Sequence, residues 1–501
     1  MKRRKAKLDR LRVTRTQHRL LPDPQRVILR PYLPAEEASN KGRSRMGLVF
    51  DRILALPEEE IPAAWEEVRA AFSSRHRDLE SVLADHFRLV TRCLEYTERL
   101  SPERELLVGA YFTHEYLIEG ASLCNPSLVP AQDQSGLPKG ALRFIMSLRA
   151  VGEGHISSIE FRSGVIESDG KIVFDPTSRF ASLGRRAPNP SYSKDVFALK
   201  LEDLRVKNEI SQSVLDSLPE PFSFDQLLGA VASARSLDIP RAMSDETLEM
   251  IHWLATSNYE ISFSPDSPIS ERVIFPASPT ESHGMEDARF VRFVEDDGSV
   301  RYHATYTAYD GQQILPQLIE TEDFVSFRLL TLNGARAHNK GMALFPRRIR
   351  GRFAMLSRHD NENIHLLTSD DIHFWDHADP LQTPSRTWEL VQIGNCGSPI
   401  ETEAGWLVLT HGVGPMRRYT IGAMLLDRDD PRRVIGRLAE PLLEPERDER
   451  DGYVPNVVYT CGAIVHNGWL ILPYGFSDTG VGIATLPLDE LLSRLGSCST
   501  S

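Results

Sequence analysis

The sequence predicts an all-β core, a five-bladed β-propeller, with an N-terminal α-helical extension and a helical insertion. Two observations predict the core. Beyond Gly120, short apolar or alternating runs are separated by Gly, Asp, Asn and Pro, as expected of strands joined by turns. A turn, a strand and then a polar or aromatic residue at the strand end recur at blade-sized intervals. A chain of 501 residues can hold this core and both additions.

The front of the chain predicts helices. From Arg75 to Leu100, apolar side chains recur at helical spacing. Ser101 and Pro102 then supply an N-cap and a first-turn proline, which predicts a second helix from Glu105 to Tyr116. Residues 57–72 predict a shorter helix.

These patterns divide the chain into three parts. Residues 1–45 form a basic N-terminal segment that we expect to be partly disordered or extended. Residues 46–120 form the helical extension, and residues 121–501 form the propeller. At about 195–255, helical sequence such as that of residues 224–228 interrupts the strands and predicts the insertion.

Four runs in the β-rich part illustrate the strand signal. They are residues 142–148, 352–356, 405–409 and 468–472. Residues 163–170 and 368–375 resemble each other and predict the same outer turn of two different blades.

Composition narrows the class of protein. The formal net charge of −12 argues against nucleic acid as the main partner. No apolar run reaches about 18 residues and no secretory signal pattern is found, so we expect neither a membrane span nor export. The five scattered cysteines have no CxxC pair and are expected to be reduced thiols of a cytoplasmic protein. The sequence contains no HExxH metal-binding pattern, no GxSxG nucleophile pattern and no Walker pattern. We therefore expect neither a metal nor an organic cofactor.

Nine polar motifs follow one another along the β-rich part. They are 125–127, 148–150, 284–289, 306–311, 339–346, 355–358, 405–412, 425–427 and 474–479. Their identity, order and spacing resemble the mannosyl phosphorylases of glycoside hydrolase family 130. The resemblance covers roughly residues 120–175 and 265–490.

The resemblance implies that Asp287 is the catalytic acid. Cleavage of a glycosidic bond needs a proton for the departing oxygen and a nucleophile at the anomeric carbon, and a phosphorylase uses phosphate as the nucleophile. In the family the matching Asp acts through a hydroxyl of the bound mannosyl unit. Glu286 beside it tunes or orients Asp287. Ala288 stands where the family usually has Pro, which removes no functional group. The alternative is a surface turn with an ion pair to Arg289.

Four residues match the anion-binding positions of the family: Lys340, Arg358, His411 and Tyr419. Arginine offers a planar fork for two phosphate oxygens, whereas lysine supplies a compact charge. The resemblance therefore implies a phosphate site, which the hydrolytic members of the family largely lack.

Polar residues of other motifs are expected to bind the sugar. Those predicted from the resemblance are Asn125, Arg149, Glu286, Arg289, Tyr309, Asp310 and Asp478. Asp478 has an alternative role as the cap of a turn. Tyr309, Trp375 and Tyr453 either stack on sugar faces or pack between blades.

Together these features imply reversible, inverting phosphorolysis of a β-linked mannoside or manno-oligosaccharide, giving α-mannose 1-phosphate. Such an enzyme is a hexosyl-transferring glycosyltransferase whose co-substrate is inorganic phosphate, with no other cofactor. The first alternative is a β-mannosidase of the same fold, with Glu401 or Glu403 as the base that activates water. The second is a non-catalytic carbohydrate-binding propeller. The front helices are a hypothetical surface for homo-oligomerisation.

Overall fold

The computed structural model describes residues 11–34, 44–235 and 241–496. Cys498 and parts of the basic N-terminal segment lie outside these residues. The described chain folds as two compact units. The described part of the larger unit comprises residues 11–22, 121–176, 184–235 and 241–496, and that of the smaller unit comprises residues 23–34, 44–120 and 177–183.

The strands are numbered in chain order. They are β1 Thr14–Leu20, β2 Val27–Pro31, β3 Thr113–Leu117, β4 Ser122–Pro130, β5 Leu142–Val151, β6 Ser157–Ile166, β7 Ile172–Phe174, β8 Ser182–Leu183, β9 Arg185–Pro188, β10 Tyr259–Ser262, β11 Arg272–Ile274, β12 Met285–Val294, β13 Val300–Tyr309, β14 Ile314–Thr321, β15 Ser326–Thr331, β16 Lys340–Leu344, β17 Phe353–Arg358, β18 Ile364–Ser369, β19 His377–Gln382, β20 Gln392–Asn395, β21 Ile400–Thr402, β22 Gly405–Val413, β23 Tyr419–Leu426, β24 Val434–Arg437, β25 Val458–Tyr459, β26 Ile464–His466, β27 Trp469–Phe476 and β28 Gly480–Pro487.

The α-helices are α1 Arg45–Leu54, α2 Ile61–Phe72, α3 Leu79–Cys93, α4 Pro102–Tyr111, α5 Lys194–Asp203, α6 Glu209–Asp216, α7 Phe224–Ala234, α8 Arg241–Thr256 and α9 Leu488–Gly496. Within the described ranges, no helix combines the length and the apolar character needed to cross a membrane.

Five antiparallel sheets make up most of the larger unit. Sheet 1 contains β4, β5 and β6, with β7 and β11 both paired to β6. Sheet 2 has the order β12-β13-β14-β15-β10-β9, and sheet 3 the order β16-β17-β18-β19. Sheet 4 has the order β20-β22-β23-β24 with β21 on β22, and sheet 5 the order β1-β28-β27-β25 with β26 on β27. The predicted β-rich core is therefore present.

Apolar side chains fill the space between neighbouring sheets. Successive residues of a strand point to opposite faces, so one strand serves two clusters. Met355 of β17 packs with residues of sheet 2, whereas Ala354 and Leu356 pack with residues of sheet 4. In the same way, Ile471 of β27 packs with sheet 1, and Leu470 packs with sheet 4. Each sheet contacts the next in chain order, and sheet 5 contacts sheet 1.

The strand and turn predictions hold in detail. The four predicted runs correspond to β5, β17, β22 and β27, and two of them begin one residue before the strand, at Arg352 and Gly468. The two similar turns each join the third and fourth strands of their sheets, β6 to β7 and β18 to β19. In the larger unit, helices α5–α8 interrupt the strands as predicted and share an apolar cluster of their own.

The smaller unit contains α1–α4 and the β2–β3 pair. The predicted helix from Glu105 to Tyr116 is wrong at its end, because α4 stops at Tyr111 and residues 113–117 form β3. Five residue pairs join β3 to β2 in an antiparallel ladder, which overrides the local helical pattern. Cys93, Cys124, Cys396 and Cys461 are free thiols.

Candidate active site

The predicted site residues come from all five sheets. Asn125 lies on β4, Arg149 on β5, and Glu286, Asp287 and Arg289 lie on β12. Lys340 begins β16, Arg358 ends β17, His411 lies on β22, Tyr419 begins β23, and Asp478 lies in the turn between β27 and β28. Hydrogen bonds, ring contacts and electrostatic interactions connect these ten side chains, so residues up to 353 positions apart meet in one region.

Irregular backbone aims several of these side chains. Asn125, Asp287 and Asp478 have φ of 49°, 57° and 47°, in the left-handed region that non-glycine residues rarely adopt. Register shifts interrupt β4 after Cys124 and β12 after Glu286. An irregularity of this kind changes the direction of a side chain relative to the regular pleat. Left-handed non-glycine residues concentrated in one region are typical of functional sites.

Asp287 is held by one amide and two guanidinium groups. Asn125 Nδ2 donates to Asp287 Oδ1 at 2.6 Å. Arg289 Nη2 lies 3.4 Å from Oδ2, and Arg149 Nη1 lies 3.8 Å from Oδ1. Burial by itself raises the pKa of Asp287, but the charges of Arg289, Arg149 and Lys340 and the bond from Asn125 outweigh it. The pKa of this carboxyl therefore lies below its ordinary value, and Asp287 is a carboxylate near pH 7.

Glu286 connects the sugar-binding and anion-binding predictions. Arg149 Nη2 donates to Glu286 Oε1 at 2.9 Å, and Lys340 Nζ donates to Oε2. Lys340 is also the direct cross-strand partner of Arg358 in the β16–β17 ladder. The side chain of Lys340 thus lies beside the predicted phosphate residues, while its charge is shared with a carboxylate.

Asp478 has the opposite electrostatic behaviour. Burial raises the pKa of its carboxyl to about 6; Arg149 opposes this rise, and the negative charges of Asp287 and Glu286 add to it. The site therefore contains two aspartates whose pKa values are pushed apart. Such pairs are typical of sites that separate a proton-holding group from a charged one.

Arg358 is a buried cation without a carboxylate partner among the described residues. Its side chain is 9% exposed, and its Nη1 lies 3.2 Å from His411 Nε2. Burial lowers the pKa of the Arg358 guanidinium. Burial and the charges of Arg358 and Arg289 hold the pKa of His411 well below its usual range, so the imidazole is neutral at pH 7. The Asp287 carboxylate attracts this guanidinium without forming a salt bridge with it. Because a buried charge with so little compensation is costly, the arrangement is suited to an anionic ligand.

Two aromatic rings complete the surroundings of His411. Tyr419 stacks on it, with ring centroids 5.9 Å apart and planes 9° apart. Tyr459 packs edge-on at 5.0 Å and accepts a 2.8 Å hydrogen bond from Arg289 Nη2. The carbonyl of Cys396 accepts from Arg289 Nε at 2.7 Å. Tyr459 was not predicted from the sequence, since no local signal separates it from tyrosines of the core.

Two predicted sugar-binding residues have contacts elsewhere. Tyr309 Oη donates to the carbonyl of Gly311, and the Asp310 carboxylate accepts from the amides of Gln312 and Gln313. These bonds stabilise the turn that follows β13, and no described contact joins either side chain to Asp287. Trp375 is fully buried and packs between sheets 2 and 3, which excludes it from stacking on a ligand.

The two candidate bases for a hydrolase are also placed by the structure. Glu401 accepts two hydrogen bonds from Arg347, at 3.0 and 2.7 Å, and two from Arg428, at 3.3 and 3.1 Å. Glu403 is exposed in the turn before β22. No described contact joins either carboxylate to the site. Nor do the described residues include a group of three or more His, Cys, Asp or Glu able to hold a metal ion.

A family model described as beta-1,4-mannooligosaccharide phosphorylase matches residues 252–496. This range contains Asp287, Lys340, Arg358, His411 and Asp478, whereas Asn125 and Arg149 precede it.

Curated proteins give similar matches. A 1,2-beta-oligomannan phosphorylase of Thermoanaerobacter sp. (strain X514) is 41% identical over 220 residues, which is 42% of this chain and 71% of that protein. A beta-1,2-mannobiose phosphorylase of Listeria innocua is 32% identical over 229 residues, covering 44% and 63% of the two chains. A beta-1,4-mannooligosaccharide phosphorylase of Ruminococcus albus is 30% identical over 262 residues, which is 50% of this chain and 74% of that protein.

Among solved structures, the Listeria innocua beta-1,2-mannobiose phosphorylase in complex with beta-1,2-mannobiose aligns with a TM-score of 0.45 and 22% identity. The alignment covers 76% of this chain and 93% of that one.

Proposed function

This chain belongs to glycoside hydrolase family 130, and from that premise we propose that it catalyses the reversible phosphorolysis of a β-linked mannoside. The observation that carries the proposal is the buried Arg358 guanidinium beside a neutral His411, with no carboxylate partner in the described chain. A hydrolase uses neutral water as its nucleophile, so it gains nothing from a buried cation that needs an anionic partner. A phosphorylase has that need in every turnover.

The proposed reaction is a single displacement. A phosphate oxygen attacks the anomeric carbon, the bond to the departing oxygen breaks, and that oxygen receives a proton. Attack on the face opposite the leaving group inverts the configuration and gives α-mannose 1-phosphate. Arg358, His411 and Tyr419 are proposed to hold the phosphate, and Asn125, Arg149 and Asp478 the mannosyl unit. We propose no cofactor other than phosphate.

Asp287 is proposed to supply the proton through a hydroxyl of the mannosyl unit. In the free protein the pKa of Asp287 is lowered by the neighbouring cations. A phosphate anion bound beside Arg358 would add negative charge to the same region and raise that pKa again. Protonation of Asp287 is therefore expected to accompany phosphate binding, which couples the acid to the presence of its co-substrate.

The architecture proposed for this chemistry is a propeller in which sheets 1–5 are the five blades. The contacts of each sheet with the next, and of sheet 5 with sheet 1, support this arrangement. Strand β1 from the N-terminal region pairs with β28 from the C-terminal region, which would close the ring within one blade.

The test is synthesis from α-mannose 1-phosphate with a panel of acceptors. The release of inorganic phosphate is measured, and the linkage of each product is determined. β-1,2 products are expected first, because the two relatives at 41% and 32% identity are named for 1,2-linked substrates. Asp287→Asn should lower acceptor-dependent release by about 10²–10⁴-fold, as expected for loss of a general acid. Asp297→Asn, at an exposed turn of the same sheet, is the matched control and should keep full activity.

Cleavage of β-mannobioses at equal rates with and without phosphate would contradict the proposal and favour a β-mannosidase.

A further inference from the structure

An exposed aromatic pair lies on two loops that lead to strands and turns of the candidate active site. Tyr453 precedes β25 and is 50% exposed, and His155 lies in the exposed turn between β5 and β6. Their ring centroids are 5.6 Å apart with planes 26° apart. The two residues lie in connecting segments of sheets 5 and 1, and these sheets contact each other. We call Tyr453 and His155 the aromatic pair.

Main-chain contacts connect Tyr453 to the turn that carries Asp478. The amide of Tyr453 donates to Thr479 Oγ1 at 3.2 Å, and the amide of Val454 donates to the carbonyl of Ser477 at 2.9 Å. These bonds bracket Asp478, whose carboxyl is electrostatically coupled to Arg149 and Asp287.

His155 is connected to the site from the opposite direction. Its turn follows β5, the strand that carries Arg149, and leads into β6. At the start of β6, Ser157 Oγ donates to the carbonyl of Met285 at 2.9 Å, directly before Glu286 and Asp287. The aromatic pair therefore joins two loops, each of which continues into a strand or turn bearing a predicted sugar-binding residue.

The orientation of the pair is fixed although its surface is open. Tyr453 Oη lies 2.9 Å from His155 Nδ1, and this hydrogen bond holds both rings. His155 has φ of 62°, a conformation that is unfavourable for a non-glycine residue. Ordering these two exposed rings costs conformational entropy, and the small surface that they bury offsets little of that cost. That cost is typical of a surface prepared for a ligand.

We infer that the aromatic pair is the platform for the acceptor sugar, with Tyr453 presenting its ring to the apolar face of the sugar unit that departs when the glycosidic bond breaks. The inference rests on the proposed function and deepens it. An aromatic ring offers a flat apolar face with a polar tip, and a pyranose offers a flat face of C–H groups. Asp478 and Arg149 would then bind the mannosyl unit on one side of the scissile bond, and the platform would bind the acceptor on the other.

The experiment compares wild type, Tyr453→Ala, His155→Ala and Tyr453→Phe in the synthetic direction, with mannose and β-mannobiose as acceptors. Tyr453→Ala should raise the acceptor KM about tenfold, while the KM for mannose 1-phosphate and kcat at saturating acceptor stay within about twofold. His155→Ala should raise the acceptor KM less, because the tyrosine ring remains. Tyr453→Phe keeps the ring but loses the hydrogen bond to His155, so it should raise the acceptor KM by less than Tyr453→Ala does. Val173→Ala, at an exposed apolar residue on β7, is the control for general surface effects.

An unchanged acceptor KM in Tyr453→Ala overturns the platform and leaves the phosphorylase proposal intact. An equal rise in the KM for the acceptor and in the KM for mannose 1-phosphate has the same meaning. If wild type shows no acceptor-dependent phosphate release at all, the proposed function fails, and the platform is judged by calorimetric titration with β-mannobiose. Weaker binding to Tyr453→Ala than to wild type then supports the platform, and equal or absent binding overturns it.

Discussion

At the scale of single residues, two aspartates of the site have different pKa values because the charges and the burial around them differ. Asp287 is close to Arg149 and Arg289, and its pKa is lowered. Asp478 is partly buried and is repelled by the charges of Asp287 and Glu286, and its pKa is raised to about 6. The difference follows from position alone, because the two side chains are chemically identical. Asp478 is consequently the less stable of the two charges at neutral pH.

We predict that Asp478→Asn stabilises the protein at pH 8 and not at pH 3.5. A carboxyl whose pKa is higher in the folded than in the unfolded state destabilises the fold once it ionises. Below its ordinary pKa of 3.8 the group is protonated in both states, and no penalty exists. The penalty grows as pH rises from 3.8 to about 6 and is complete above that value. Removing it should add on the order of 1–3 kcal/mol at pH 8.

The measurement is urea unfolding of wild type and variant across this pH range. Asp297→Asn provides a control of opposite sign, because side-chain and backbone bonds from Ser299 lower the pKa of Asp297. A gain for Asp478→Asn that persists undiminished at pH 3.5 would show that the effect is not electrostatic.

Several residues that the sequence motifs single out lie together in the structure, while their roles stay predictions. Asp287, Arg149 and Asn125 are in contact, and Arg358 lies against His411. Tyr459 was missed because its partner Arg289 is 170 residues away and no spacing rule connects them. Tyr309 and Asp310 belong to a motif of the family, yet their described hydrogen bonds stay within one turn.

At the scale of elements, strand β1 shows how a basic sequence can become part of a sheet. Its charged residues predict a partly disordered or extended segment, and within it Thr14–Leu20 is an extended strand that pairs with β28, a pairing that the sequence did not predict. The reason is a partner that local sequence does not reveal. Arg15 Nη2 and Nε donate to the two oxygens of Glu449 at 3.0 and 3.1 Å, and Glu449 is almost fully buried. Tyr474 also donates to Glu449, at 2.5 Å.

We predict that Arg15→Met destabilises the protein by about 2–4 kcal/mol, because it leaves the buried Glu449 carboxylate without its main cation. The measurement is the free energy of unfolding in urea. Arg19→Met is the matched control: Arg19 lies on the same strand, 3.4 Å from Glu449 and 31% exposed, so its loss should cost less than about 1 kcal/mol. Glu449→Gln in the Arg15→Met background should recover part of the loss. Equal effects of the two arginine variants would contradict this account of β1.

At the scale of the whole molecule, the order of the sheets explains how short motifs spread over 350 residues form one site. Each sheet contributes one or more residues, and apolar clusters between neighbouring sheets fix their separation. The sequence predicts the sheets well, because turn residues and alternating runs are local signals. The irregular backbone at Asn125 and Asp287 has no local signal, since it arises where strands of different sheets meet.

The buried Arg358 guanidinium leads to a prediction about the thermal stability of the entire larger unit. Inorganic phosphate that binds the folded state alone should stabilise it by RT ln(1 + [L]/Kd), about 2.7 kcal/mol at 100 times Kd. Thermal unfolding with phosphate should therefore shift upward relative to chloride at equal ionic strength. Arg358→Met should remove this shift and also raise the melting temperature of the phosphate-free protein, because an uncompensated buried charge is replaced by an apolar side chain. Arg352→Met, at a 41% exposed arginine paired with Asp370 in the same sheet, should keep the shift. A phosphate shift that survives in Arg358→Met would place the anion elsewhere and remove the main support for phosphorolysis.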